Sequence, residues 1–184
     1  MQWQTTRVLE PLRMRHTAFE IDGSITGNLT RGYDISQNGD FASTQSDREA
    51  LSGRGYKVPN GALYTTIDDL SRFVALQMGH GPAQVMSAAR LDSAYTGKLP
   101  GSMAPGGEYG IGFSAERRGS YTWFGHGGAV AGYGAMVLFD REQDVGVIVL
   151  RNALGGKVRG SALAAAVLQR VVDDKVAAAK SGTR

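Results

Sequence analysis

His126, Gly127 and Gly128 follow directly on a run with strand character, residues 121–124. An imidazole can polarise a hydrogen-bond network or exchange a proton near neutral pH. Two glycines beside it leave the backbone N–H and C=O groups bare, so a ligand can lie along the strand like an added neighbour. That combination points to a substrate site on a strand edge. His16 and His80 stand alone and read as surface or loop residues. Ser120 is the serine nearest to His126 in sequence, yet six residues of strand separate them by about 20 Å, too far for proton transfer.

Several elements must hold this strand in place. Residues 134–140 and 145–150 read as two further strands joined by a short turn, and Tyr109, Ile111 and Phe113 alternate with small residues as a fourth. Residues 160–179, rich in Ala and Val, predict a helix able to pack closely on the sheet, with 180–184 as a frayed tail. Upstream, residues 1–9 read as the end of a helix stopped by Pro11. Thr66 predicts an N-cap, with Asp68 and Asp69 near the positive end of the helix dipole, for a helix whose apolar face is Ile67, Leu70, Phe73, Val74 and Met78. A further helix is expected over 83–95, burying Val85, Met86, Ala89 and Leu91. Residues 14–61 form a polar, Gly-rich connector expected to wrap over the scaffold or approach the site, and 97–107 read as a linker.

Composition narrows the function. With 42% hydrophobic residues in 184, the chain can bury one domain-sized core. Its Lys and Arg residues are scattered rather than clustered, which argues against nucleic-acid binding, and Arg7, Arg13, Arg15, Arg117 and Arg118 read as solvated surface. No cysteine and three isolated histidines argue against a metal site, and no cofactor motif is present. No stretch approaches a membrane span, and no signal-peptide pattern opens the chain, which leaves its compartment unassigned.

Taken in order, three motifs resemble the serine β-lactamase, penicillin-binding protein and carboxylesterase superfamily. Residues 8–14, VLEPLRM, resemble that family's LEPLGM turn, with Arg13 where glycine is usual. Residues 59–73, PNGALYTTIDDLSRF, resemble its helix entry. GHGG and the two strands after it resemble its third active-site motif, Lys or His, then Thr or Gly, then Gly. The resemblance covers most of the chain. It implies an α/β fold of the α+β type: an antiparallel sheet of about four strands with a packed C-terminal helix (106–184), plus part of a helical, loop-rich region (1–105). Both would belong to one incomplete β-lactamase or transpeptidase-like domain.

The resemblance also implies roles. His126 would sit beside the nucleophile, Gly127 and Gly128 would admit the acyl group, and the N–H of Ala129 would donate to the tetrahedral oxyanion. Arg159 could meet a substrate carboxylate. The substrate would be a small ester, β-lactam or peptide amide, hydrolysed through an acyl-serine.

The family's nucleophile motif, Ser-x-x-Lys, is absent from these 184 residues, as is Tyr-x-Asn. After Ser87, Ser114 and Ser181 the third residue is arginine, which stays protonated and cannot act as the base. The expectation is therefore the C-terminal portion of a serine hydrolase, with little or no turnover alone. A non-catalytic binding or assembly module that keeps the fold fits equally well. Sequence missing from the N-terminal side would leave apolar surface open, so self-association or complementation by that segment is expected.

Overall fold

Apolar residues on both faces of three successive strands build the centre of the fold. The computed structural model describes residues 1–20, 26–44, 61, 63–95, 99–100, 108–130 and 132–181. In chain order these form α1 (Gln2–Gln4), β1 (Tyr33–Ile35), β2 (Phe41–Ser43), α2 (Ile67–Gln77), α3 (Ala88–Tyr95), β3 (Leu99–Pro100), β4 (Glu108–Tyr109), β5 (Ser114–Arg118), β6 (Tyr121–Val130), β7 (Tyr133–Asp140), β8 (Val145–Arg151), β9 (Ala153–Gly155) and α4 (Gly160–Ser181). Strands β3 to β8 form one six-stranded sheet in sequential order, antiparallel throughout. Three of the strands expected from sequence are β6 to β8, whereas β5 takes the place of the strand expected at 109–113, and two-residue strands extend the sheet at one side.

Each face of this sheet carries its own core. On one side Trp123, Met136 and Leu138 meet Ala164, Leu168 and Val172, an i, i+4 line along α4. On the other side Phe139 packs with Val74 of α2 and with Leu91 and Tyr95 of α3, joined by Phe113, Phe124, Val137 and Ile148. Phe139 and Leu168 are fully buried, and each such side chain contributes about 1.5–3 kcal/mol. Helix α4 runs back along β8: Gly160 lies against Arg151 and Val149, and Lys175 Nζ donates to the carbonyl of Gln143.

The Thr66 cap forms as expected, its hydroxyl accepting from the Asp69 N–H at 3.2 Å. Asp69 does more than face a dipole. Its buried carboxylate accepts from the His16 N–H at 2.7 Å and the Thr17 hydroxyl at 2.8 Å, tying the N-terminal turn to α2. That turn is further held by Leu9, Leu12 and Met14 against Leu76. Helix α1 widens into a π-helical turn at Thr5–Leu9 before the chain bends through Pro11. Arg13 takes φ +57°, in the left-handed region that favours glycine.

Other expectations need correction. Tyr109, Ile111 and Phe113 do not lie in one strand: β4 ends at Tyr109, a turn with Gly112 at φ +85° intervenes, and Ile111 is 77% exposed. Glycine's freedom at positive φ lets the chain reverse there, which alternation cannot reveal. The helix expected over 83–95 begins only at Ala88, because 82–86 form a turn through the bonds from Val85 and Met86 to Pro82. Ala89 and Ile67 are exposed. The tail stays helical to Ser181, and residues 182–184 lie outside the described residues.

Candidate functional site

Strand β6 is ten residues long, but its two neighbours cover it unequally. Strand β7 pairs with it from Trp123 to Val130, whereas β5 pairs only from Tyr121 to Gly125. Beyond Gly125, no strand among the described residues pairs with residues 126–130 on the β5 side. Strand β5 starts at Ser114 because the Gly112 turn delivers the chain there, and the Ser114 hydroxyl donates to the Gly125 carbonyl at 2.9 Å on the last rung. The open edge begins one residue later, at His126.

The direction of the backbone groups follows from that rung. Since the Gly125 carbonyl points to β5, the two-residue period turns the N–H and C=O groups of Gly127 and Ala129 toward the same, uncovered side. Those of His126 and Gly128 turn toward β7. The four residues singled out by sequence thus lie on a short stretch whose alternate backbone groups have no strand partner among the described residues.

Side chains sort by the same alternation. Trp123 is buried beneath α4, while Phe124, on the opposite face, packs among Tyr95 and Phe139. His126 shares the Phe124 face and is exposed, on the side of α2 and α3. Its ring lies 6.0 Å from that of Tyr109, edge to face. In the sequence Tyr109 reads only as a strand residue. The register brings β4 alongside this stretch of the sheet, Tyr109 pairing with Ser114 and Ser114 with Gly125, the neighbour of His126 in β6.

The connector does reach this end of the sheet. Strands β2, β1 and β9 form a second sheet, β1 antiparallel to β2 and parallel to β9. The Tyr33 N–H donates to Gly132 and Asn152, and Tyr133 donates its hydroxyl to the Thr30 carbonyl. Loop 26–44 therefore packs beside the β6–β7 hairpin that carries Ala129. Residues 21–25, 45–60, 97–98 and 101–107 of the connector and linker lie outside the described residues.

Other singled-out residues lie outside this strand stretch. Arg159 is exposed and immediately precedes α4. His80 bonds Asp144 at 2.5 Å, with both side chains solvent-accessible. Ser120 lies in the turn that opens β6, at the other end of the strand from His126. Among the described residues no cluster of His, Cys, Asp and Glu could hold a metal ion, and no helix is long and apolar enough to cross a membrane. A concavity of about 540 Å³ lies beside the N-terminal turn, lined in part by Met1, Leu9, Arg13 and Phe19, and no candidate site residue lines it.

Comparison with known proteins agrees with this architecture. A solved penicillin-binding protein homologue from Pyrococcus abyssi, described as octameric, superposes with a TM-score of 0.76 at 21% identity, over 94% of this chain and 37% of its own. A penicillin-binding protein from Bacillus halodurans gives 0.65 at 14% identity, over 98% of this chain and 48% of its own. A D-stereospecific amidohydrolase from Streptomyces sp. gives 0.55 at 18% identity, over 81% and 42%. In sequence, the chain is 34% identical over 74 residues to Beta-lactamase-like protein 1 of Dictyostelium discoideum, or 40% of this chain and 11% of that protein. It is 30% identical over 106 residues to Putative beta-lactamase-like 1 of Homo sapiens, or 57% and 19%. The chain thus spans less than half the length of each of these relatives. The Beta-lactamase family model matches residues 2–171, and with that match the chain belongs to the beta-lactamase family.

Proposed function

We propose that this chain forms one wall of a serine acyl-transfer site, working on an ester, a β-lactam or a peptide amide through an acyl-serine intermediate. The observation that carries this is the uncovered β6 edge from His126 onward, beyond the last β5 rung. Glycine at 127 and 128 lets an acyl group approach the backbone, and the Ala129 N–H, turned outward, donates to the oxyanion. Removing one such donor costs about 2.7–4 kcal/mol in a hydrolase transition state. His126, on the exposed face, polarises the network around the nucleophile, and Tyr109 limits how its ring can turn. Arg159 is the basic residue proposed for a substrate carboxylate.

The nucleophile and its base lie outside these 184 residues, so the chain alone turns over little or no substrate. Assembly, with a second copy or with a complementing segment, belongs to the same proposal, and the octameric assembly described for the Pyrococcus abyssi relative favours it. The second reading, a binding or assembly module that has shed the chemistry, is favoured by the absence of Ser-x-x-Lys and Tyr-x-Asn.

Fluorophosphonate and fluorescent penicillin probes test the first reading. No covalent labelling of the purified chain is expected, and clear labelling overturns the claim of inactivity. Amide-resolved NMR with a β-lactam should move the Gly127 and Ala129 N–H signals first. Shifts confined to other strands overturn the assignment of the wall.

A further inference from the structure

Tyr109 and Ser114 flank the turn 110–113 between β4 and β5, and both bear on β6 where the candidate site begins. Ser114 is buried, and its hydroxyl donates to the Gly125 carbonyl at 2.9 Å. That carbonyl and the His126 N–H belong to one planar peptide unit. Tyr109, the register partner of Ser114, sets its ring 6.0 Å from the His126 imidazole at an interplanar angle of 72°. One turn thus touches two consecutive residues of β6, the first through its backbone and the second through its side chain.

The turn is itself anchored. The Ile111 N–H donates at 3.0 Å to the carbonyl of Ala94, in the last turn of α3, and the Gly110 N–H donates to the Phe113 carbonyl at 2.8 Å. A β-carbon on Gly110 would stand 2.3 Å from the Ala94 oxygen, so glycine there lets the turn rest on the helix. Phe113 adds its ring to those of Tyr95 and Phe139 in the core. Helix α3, the turn and the start of β5 therefore form one support. Strand β6 needs such a support, because glycine stands on both sides of His126 and its backbone freedom would leave the imidazole loosely held. A working site holds its groups to within about 0.5 Å.

We propose that Ser114 and Tyr109 are the positioning residues of this site, Ser114 fixing the Gly125–His126 peptide and Tyr109 fixing the imidazole, with Gly110 coupling both to α3. Without the Ser114 hydroxyl the peptide turns more freely, which swings the imidazole and re-aims the Gly127 and Ala129 N–H groups farther along the strand. Tyr109 restrains the ring and leaves the backbone alone, so the two residues act on separable quantities. The functional meaning rests on the proposed role of His126, but both contacts are measurable with no substrate present.

NMR of the purified chain provides the test. In Ser114→Ala, amide exchange at His126 should quicken at least about threefold while that of β8 stays unchanged, whereas a merely structural loss would quicken both. In the parent, the ring current of Tyr109 should displace the His126 ring-proton signals. Tyr109→Phe should keep that displacement and Tyr109→Ala should abolish it. The Kd for benzylpenicillin, read at the Gly127 and Ala129 N–H signals, should rise at least about threefold in Ser114→Ala and Tyr109→Ala but not in Tyr109→Phe. Unchanged or uniformly quickened exchange in Ser114→Ala overturns the role of Ser114, and His126 ring signals indifferent to Tyr109→Ala overturn that of Tyr109. A parent that gives no response to benzylpenicillin defeats the proposed function instead, and the exchange and ring-signal measurements still decide the positioning.

Discussion

A β-carbon added to Gly125 would lie 2.4 Å from the Val137 carbonyl oxygen and 2.5 Å from Leu138 Cδ2, whereas one added to Gly128 would meet nothing within 4 Å among the described residues. Two glycines of one motif therefore serve different ends. Gly125 lets β6 and β7 approach each other, and Gly128 leaves room on the face that His126 shares.

Gly125→Ala should consequently cost about 1–3 kcal/mol of stability through overpacking against backbone. Gly128→Ala should leave stability within about 0.5 kcal/mol while weakening the NMR response of Gly127 and Ala129 to a β-lactam. Urea unfolding of the two variants checks the first half. Equal destabilisation would show that the two glycines share a packing role.

Arg13 sits at φ +57°, where an L-residue pays about 1–2 kcal/mol. Its side chain is exposed, so Arg13→Gly should relieve the backbone without losing a core contact. The expected gain is on the order of 1 kcal/mol, partly offset by glycine's greater freedom when unfolded. In thermal melting that is a rise of about 2–4 °C for a chain of this size. A fall would mean that Arg13 holds a contact outweighing its strain.

Tyr95 lies in the core between α3 and the sheet and donates its hydroxyl to Gln77 Oε1 at 2.5 Å. Burial pushes its phenol well above the ordinary 10.0, and the Arg141 guanidinium 5.0 Å over its ring offsets this only in part. The folded state thus prefers the neutral phenol. Its stabilising effect is complete below pH 10 and is lost as pH climbs from there toward the raised folded value. Stability measured by denaturant between pH 9 and 12 should fall with a slope of up to one proton, and Tyr95→Phe should remove that slope. An unchanged slope in the variant would reject the assignment.

Asp69 accepts two hydrogen bonds from the His16–Thr17 segment while its own N–H caps onto Thr66. Asp69→Ala would orphan those donors at the junction of the N-terminal turn and α2. The expected loss is about 2–3 kcal/mol, since hydrogen bonds to a charged acceptor are the stronger kind. Hydrogen exchange should quicken first at His16, and a variant as stable as the parent would refute this role.

Local patterns that act within a few residues were readable from the chain itself. Thr66 with its acidic pair announced α2, and glycine at 127 and 128 beside His126 announced a strand edge without side chains in the way. Alternation placed β7 and β8 within a residue and the start of β6, because each has a buried face on both sides of the sheet, while β6 runs six residues past 124 through glycines that carry no alternation. Where alternation coincided with a turn, as at Tyr109–Phe113, it misled, since a glycine at positive φ leaves no mark on periodicity.

By itself the sequence determined the family, the order of the elements and the absence of a Ser-x-x-Lys motif from these residues, because each depends on which residues stand near one another along the chain. Only the tertiary structure decided that β5 pairs with β6 no further than Gly125, that Tyr109 meets His126, and that Asp69 anchors the N-terminal turn. Those relationships join residues as much as 53 positions apart through strand register and helix rotation. Register and rotation are set when distant apolar faces pack together, and no local spacing encodes where a neighbouring strand will end.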